Sequence, residues 1–268
     1  CLEIEGDITT AAEPLTLYGG YCCGTAWRNV WGDNTFTGPV TVASSATIES
    51  YYGTLTLNSP TAVSGGYGYD MLGLGGYGDI VVSSPIAFSG DIYKYGSGKL
   101  TFSGDNTYSG YTYVYEGTLN IQHANALGGT ANGTYVWGGT IEVQGGISTA
   151  AEPVELYGSC CGASWRNVSG DNTFTGPITA YYYAWIDSDS GTLTLNSATA
   201  ISGGDSYDYL VFGGTGNIVV SSPIAFSGSI IKDGSGRLTL SGHNTYSSYT
   251  DIYDGTLRIQ HANALGST

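Results

Sequence analysis

Cysteines, carboxylates and a recurring Trp-Arg pair are the residues of this chain whose types and spacing could do chemistry. The five cysteines are Cys1 and two vicinal pairs, Cys22-Cys23 and Cys160-Cys161, set in YCCGTAWRNV and SCCGASWRNV. A zinc site wants two or more residues between its cysteines and further ligands, so the pairs are no metal pattern. Three readings stay open for them: a vicinal disulfide in a tight loop, a cross-link to a neighbouring molecule, or buried or free thiols. Cys1 could bond Cys22 or Cys23, or be a lipidated mature N-terminus. All but the free-thiol reading place the chain in an oxidising, extracellular setting.

The carboxylates show no catalytic pair. Two stretches of the chain repeat each other, and Asp105 is answered by His243, Asp79 by Asn217 and Asp91 by Ser229. Asp70 recurs as Asp208, a single carboxylate in a Gly-rich turn. Asp187 and Asp189 in WIDSDSG could hold Ca²⁺ weakly with Asp205, although such a loop usually reads as a solvated turn. His123 and His261 recur within IQHANALG as turn residues. GLGGYG at 73–78 has neither the helix nor the Lys of a phosphate loop. The sequence therefore predicts no enzyme, no cofactor and no bound metal, with a polysaccharide-degrading β-helix enzyme as a remote alternative.

Binding residues are easier to nominate. Trp27 and Arg28 recur as Trp165 and Arg166, which in a chain with only 7 Lys+Arg suggests guanidinium stacking or an ion pair. They are candidates for a loop clasp or a lateral contact with another molecule. Tyr181, Tyr182, Tyr183 and Trp185 are candidate glycan contacts, and Asn132 and Asn167 match the glycan acceptor pattern.

The elements that position these residues follow from composition and repetition. The 268 residues include 43 Gly and one Met, which argues against long helices, because Gly costs about 1 kcal/mol per helical position. A formal net charge of -15 repels a phosphate backbone, which excludes nucleic acid, and disfavours an anionic membrane surface. No apolar run is long enough to span a bilayer. GTLNIQHANALG at 117–128 returns as GTLRIQHANALG at 255–266, and VVSSPIAFSG at 81–90 returns unchanged at 219–228. The chain is thus two copies of one long unit, 1–138 and 139–268. Asn-Thr pairs begin at 34, 106, 172 and 244, and short alternating runs lie between them, broken by Gly, Asn, Asp and Ser-Pro turns. This predicts an all-β solenoid of about a dozen coils, each burying one face on its neighbours. At about 4.8 Å per coil the two Cys-Cys pairs would lie too far apart to bond each other.

Comparing the copies predicts which side chains point inward. Val114 answers to Ile252 and Ile48 to Ile186, whereas Tyr113 answers to Asp251 and Thr47 to Trp185. Positions that stay aliphatic are core, and positions that exchange Tyr, Trp, Asp and Ser face water.

Residues 96–128 (GSGKLTFSGDNTYSGYTYVYEGTLNIQHANALG) and 234–266 (GSGRLTLSGHNTYSSYTDIYDGTLRIQHANALG) resemble the autotransporter-associated β-strand repeat of bacterial surface proteins. The resemblance implies a right-handed parallel β-helix, export across the cell envelope and a structural or adhesive role. The chain departs from that pattern in its cysteines and in having no membrane barrel of its own.

Strand patterns open at Leu2-Glu3-Ile4 and close near Thr268 with no capping repeat. The expectation is a structural subunit or segment of an extracellular fibre, stacking end to end on itself through open strand edges. The alternative is an adhesin passenger that binds carbohydrate or a surface through exposed Tyr and Trp. Partners are then other copies of the chain, glycans or neighbouring filaments.

Overall fold

The computed structural model describes residues 1–19, 24–158 and 162–266, and they form strands and turns with no helix. The strands stack as a β-solenoid of about 11 turns. The chain divides into two compact units, Cys1–Thr134 and Tyr135–Thr268.

In the first unit three columns of strands run parallel. One column takes Leu2–Glu5, Trp27–Trp31, Ala46–Ser50, Met71–Gly76, Asp91–Tyr95 and Thr112–Val114. A second takes Asn34–Phe36, Thr54–Leu57, Asp79–Val82, Lys99–Phe102 and Thr118–Ile121. The third takes Leu15–Leu17, Val40–Val42, Val63–Gly65 and Ile86–Phe88. The second unit repeats the scheme. Its long column runs through Thr140–Gln144, Trp165–Ser169, Tyr183–Ser188, Tyr209–Gly213, Ser229–Lys232 and Thr250–Ile252. Each strand is too short to stand alone, and the period-2 alternation puts one face of most strands into the core.

Trp27 and Trp165, expected at a loop clasp or lateral contact, are core residues instead, 0% and 1% exposed. Each meets a phenylalanine of the adjoining strand, Trp27 with Phe36 at 4.9 Å and Trp165 with Phe174 at 4.6 Å between ring centroids. Trp27 pairs in register with Ile48, so its side chain belongs to the same inward row.

The Asn-Thr pairs, which mark the repeat in the sequence, hold interior positions. Asn34, Asn106, Asn172 and Asn244 are all buried. Asn106 accepts from the Ile86 N–H at 2.9 Å and donates to the Ala126 carbonyl at 2.7 Å, bridging the rungs on either side. Asn244 does the same between Ile224 and Ala264. Asn34 donates to Asn29 at 2.6 Å, and Asn29 donates to Ser50 at 3.0 Å, a chain repeated by Asn172, Asn167 and Ser188. Asn167, nominated as a glycan acceptor, is therefore 0% exposed, its amide fully engaged and closed to modification in the folded chain. Asn132 is half-buried and donates to the Ser109 carbonyl.

One lysine of each unit is also interior. Lys94 and Lys232 sit at inward positions of their strands, 1% and 2% exposed. The Lys94 ammonium donates to the carbonyls of Tyr95, Gly96 and Glu116 at 3.0, 2.5 and 2.8 Å. Lys232 donates to those of Asp233, Gly234 and Asp254. Each cation thus ties the corners of two successive coils. Gly117 and Gly255 make room for it: both have left-handed φ (68° and 73°), and a Cβ would lie 2.7 Å from Lys94 Nζ at Gly117 and 2.9 Å from Lys232 Nζ at Gly255. Burial outweighs the nearby Glu116 and lowers the Lys94 pKa to about 8.

Candidate functional site

The outward faces of the two long columns carry the aromatic residues. In the first unit the register sets Thr47, Gly73, Tyr93 and Tyr113 in one outward row. Glu49, Gly75 and Tyr95 form the next row. Tyr93 lies 4.8 Å from Tyr113 and 5.9 Å from Tyr115 between centroids, and Tyr113 stacks on Tyr115 at 6.0 Å. Such offset aromatic stacks suit an exposed sheet face, since each ring covers its neighbour's flank while the hydroxyl stays wet.

Two glycines interrupt this surface. Tyr95 lies down over both: a Cβ at Gly75 would be 2.9 Å from its Cδ2, and one at Gly73 would be 3.1 Å from its Cε1. The hydroxyl of Tyr95 donates to Glu49 Oε1 at 3.1 Å, two rungs away, and Thr25 donates to the other oxygen of the same carboxylate. Burial first, and Glu49 second, push the Tyr95 phenol well above its ordinary range. Beside the covered Gly73 lies a groove of about 410 Å³, lined by Ser45, Ala46, Thr47, Met71, Gly73, Tyr93 and Tyr95. Its wall is fixed from below, because Ser45 donates to Asp70 and Asp70 also accepts from the Tyr67 N–H at 2.8 Å.

The corresponding face of the second unit holds the tyrosines nominated from sequence. Tyr182 and Tyr183 are exposed, and Tyr181 and Trp185 are half-buried. They do not form one cluster. Tyr181 stacks on Tyr157 at 4.7 Å and Tyr183 on Tyr209 at 4.6 Å, while Trp185 pairs in register with Val211. Tyr182 has a left-handed φ of 58°, and its N–H donates to Asp208 at 2.9 Å.

The two arginines are held by local charge. Arg28 meets Glu3 at 3.2 Å and lies 4.9 Å over the ring of Tyr51. Arg166 donates from Nε and Nη2 to Asp189 Oδ2, both at 2.7 Å, and lies 3.7 Å from Glu142. Asp187 sits beside this pair with Oδ1 enclosed and without a hydrogen-bond partner. Burial, then the like charge of Asp189, raises its pKa to about 6. Asp205 belongs to a different turn, where it accepts from the Tyr207 N–H at 2.8 Å, so it does not join Asp187 and Asp189. His123 and His261 accept from the N–H groups of Asn125 and Asn263 within their turns.

Cys1 is exposed with a free thiol. Cys22, Cys23, Cys160 and Cys161 lie outside the described residues.

The groove beside Gly73 was missed in the sequence. The signal for it was present, since Gly73 and Gly75 alternate with Leu72 and Leu74 in a strand whose second copy reads Leu210-Val211-Phe212-Gly213.

The model of the passenger-associated transport repeat matches residues 92–121 and 230–259. These spans begin at the strands that carry Lys94 and Lys232 and end with those that follow Gly117 and Gly255. The chain is also similar to a protein named adhesin BmaC autotransporter, from Brucella suis biovar 1 (strain 1330), with 26% identity over 188 residues. That alignment covers 70% of this chain and 4% of the relative, so the chain spans a small fraction of the relative's length. No solved structure matches the chain. The repeats and the relative are those of surface or exported proteins. The chain is an all-strand β-solenoid that carries two passenger-associated transport repeats.

Proposed function

We propose that the chain is a segment of an extracellular or cell-surface fibre whose coils continue end to end into further copies. The repetition of one interior carries this reading: Trp27 and Trp165, and Lys94 and Lys232, are buried alike in the two units. A coil that buries its face on the next coil can be repeated along one axis, and a heterologous contact of this kind does not close and so extends.

Light scattering on the size-separated polypeptide, with electron microscopy of the same fractions, tests the reading. The expected result is association that grows with concentration. Single-chain particles at every concentration would overturn it.

A second reading is favoured by the stacked, half-wet tyrosines and by the name of the relative: an adhesive segment that holds carbohydrate on its outer face. It is compatible with the first, because stacking uses the ends of the solenoid and adhesion its side.

A further inference from the structure

One pair of stacked tyrosines on the outer face has a proton acceptor beside it. Tyr157 and Tyr181 are partners in register on adjacent rungs of the second unit. Their ring centroids lie 4.7 Å apart, with 21° between the planes. Rings stacked in this way hold facing carbon atoms near van der Waals contact, about 3.5–4 Å. The Tyr157 hydroxyl donates to Glu155 Oε2 at 2.8 Å, and the two residues alternate with buried ones on the same face of their strand. Burial, then the Glu155 carboxylate, raises the Tyr157 phenol above its ordinary range, so it keeps its proton at rest. Both tyrosines are half-buried, which leaves part of each ring in solvent.

The first unit lacks this arrangement. Thr16 stands there in place of Glu155 and Ala43 in place of Tyr181. The register sets Tyr18, the counterpart of Tyr157, opposite Ala43, and Tyr18 is 74% exposed.

We infer that Tyr157 and Tyr181 are a site of oxidative cross-linking, where a peroxide-driven one-electron oxidant of the haem-peroxidase class joins successive coils by a carbon–carbon bond. The oxidant takes one electron from each phenol. Glu155 accepts the Tyr157 proton as the electron leaves, and the Tyr181 proton passes to water. The unpaired electron of a tyrosyl radical is shared with the ring carbons next to the C–O carbon, in a π orbital whose lobes stand off the ring faces. Two such radicals couple face to face, and the stack already holds them in that approach. A bond forms between one Cε of each ring. Each of these carbons then loses its hydrogen as a proton, and each oxygen regains one. One hydrogen peroxide becomes two waters, and the pair of residues loses two hydrogen atoms. The bond lies within one chain, so the inference depends on neither end-to-end stacking nor carbohydrate binding.

The experiment treats the whole chain, mixed in equal parts from isotope-labelled and unlabelled preparations, with a haem peroxidase and hydrogen peroxide. Dityrosine emission gives the rate, and mass spectrometry after trypsin gives the site. Trypsin cuts after Arg166 and so separates the two rings. The expected product is a linked peptide pair carrying Tyr157 and Tyr181, two hydrogens lighter than its parts, with both halves of the same isotope. Tyr157→Phe and Tyr181→Phe keep the stack but each remove this product. Tyr182→Phe leaves it, because Tyr182 lies 6.4 Å from Tyr157 and tilted by 45°. Glu155→Gln slows its formation at least about tenfold, with circular dichroism unchanged. Absence of the linked pair, or a pair of mixed isotopes alone, overturns the site. So does a product that Tyr182→Phe removes and Tyr181→Phe does not. An unchanged rate in Glu155→Gln overturns the part given to the carboxylate.

Discussion

The two units share an interior and differ on their outer face. Inside, Trp27 and Trp165, Lys94 and Lys232, Tyr108 and Tyr246, and the four buried asparagines make the same contacts in each copy. Outside, the row Thr47–Gly73–Tyr93 has a glycine at its middle rung, covered by the Tyr95 ring, and its counterpart Trp185–Val211–Ile231 carries a side chain on every rung. Inner positions of a stacked solenoid meet the rungs above and below, so a change there is felt in several coils at once. Outer positions meet water and other outer side chains, in their own row or the next, as Tyr95 does over Gly73. The comparison teaches that duplication preserved what the stack requires and left the outer rows free to diverge.

The largest test of this comparison is at the shared tryptophans. Trp27→Ala and Trp165→Ala should each cost about 3–5 kcal/mol of unfolding free energy, because each empties a large cavity in the core. Urea denaturation of the two variants should give equal losses to within about 1 kcal/mol. A large inequality would break the claim of a common interior.

Opening the second unit's outer row is the next test. Val211→Gly should cost about 2–4 kcal/mol, through lost packing under Trp185 and the added freedom of a strand glycine. The same denaturation series measures it. The reciprocal Gly73→Val should also destabilise, by about 1–3 kcal/mol, because its Cβ would meet Thr47 Cγ2 at 2.9 Å and Tyr95 Cε1 at 3.1 Å. A gain in stability on filling Gly73 would show that the Tyr95 ring does not cover it.

The smallest effect is at one carboxylate position that the units treat differently. Glu49 accepts from Tyr95 and Thr25, whereas its counterpart Asp187 has one enclosed oxygen without a partner and a pKa raised to about 6. A raised carboxyl pKa means the folded chain binds more protons than the unfolded chain between about pH 4 and 6, so stability falls as pH rises through that window. Asp187→Asn should flatten this slope and raise stability at neutral pH by about 1–2 kcal/mol, allowing for partial solvent screening. Thermal unfolding at about pH 4 and about pH 7 reads both effects, and an unchanged slope would show that Asp187 is not the group responsible.

Much of the fold was legible because period-2 patterning and self-comparison report the same physical fact. A side chain that meets the next coil keeps its chemistry, and one that meets water does not. Val114 and Ile48 were placed inside on that basis and are buried. The tyrosines at 111–115 were placed outside and are half-buried or exposed. The same rule misleads where a polar residue is kept for an interior reason. Trp27 and Trp165 read as surface residues because an Arg adjoins each, yet alternation turns neighbours to opposite faces. Asn34 and Asn106 read only as markers of the repeat, and nothing local reveals that Asn106 bridges the rungs 20 residues away on either side. Lys94 and Lys232 kept their places across the copies, but a lone lysine in a tyrosine-rich strand gives no hint of three carbonyls converging on it.

The sequence by itself determined the duplication, the strand-and-turn composition and the inward and outward alternation, because these depend on residue order and on local backbone preference. Only the tertiary structure decided which rows become neighbours across coils. It put Gly73 in the lining of a groove, turned Tyr95 across two glycines toward Glu49, and enclosed Asn167 in a hydrogen-bonded chain. The reason is register: residues some 20 to 26 positions apart are brought to one rung spacing, and that distance is set by the lengths of the intervening turns.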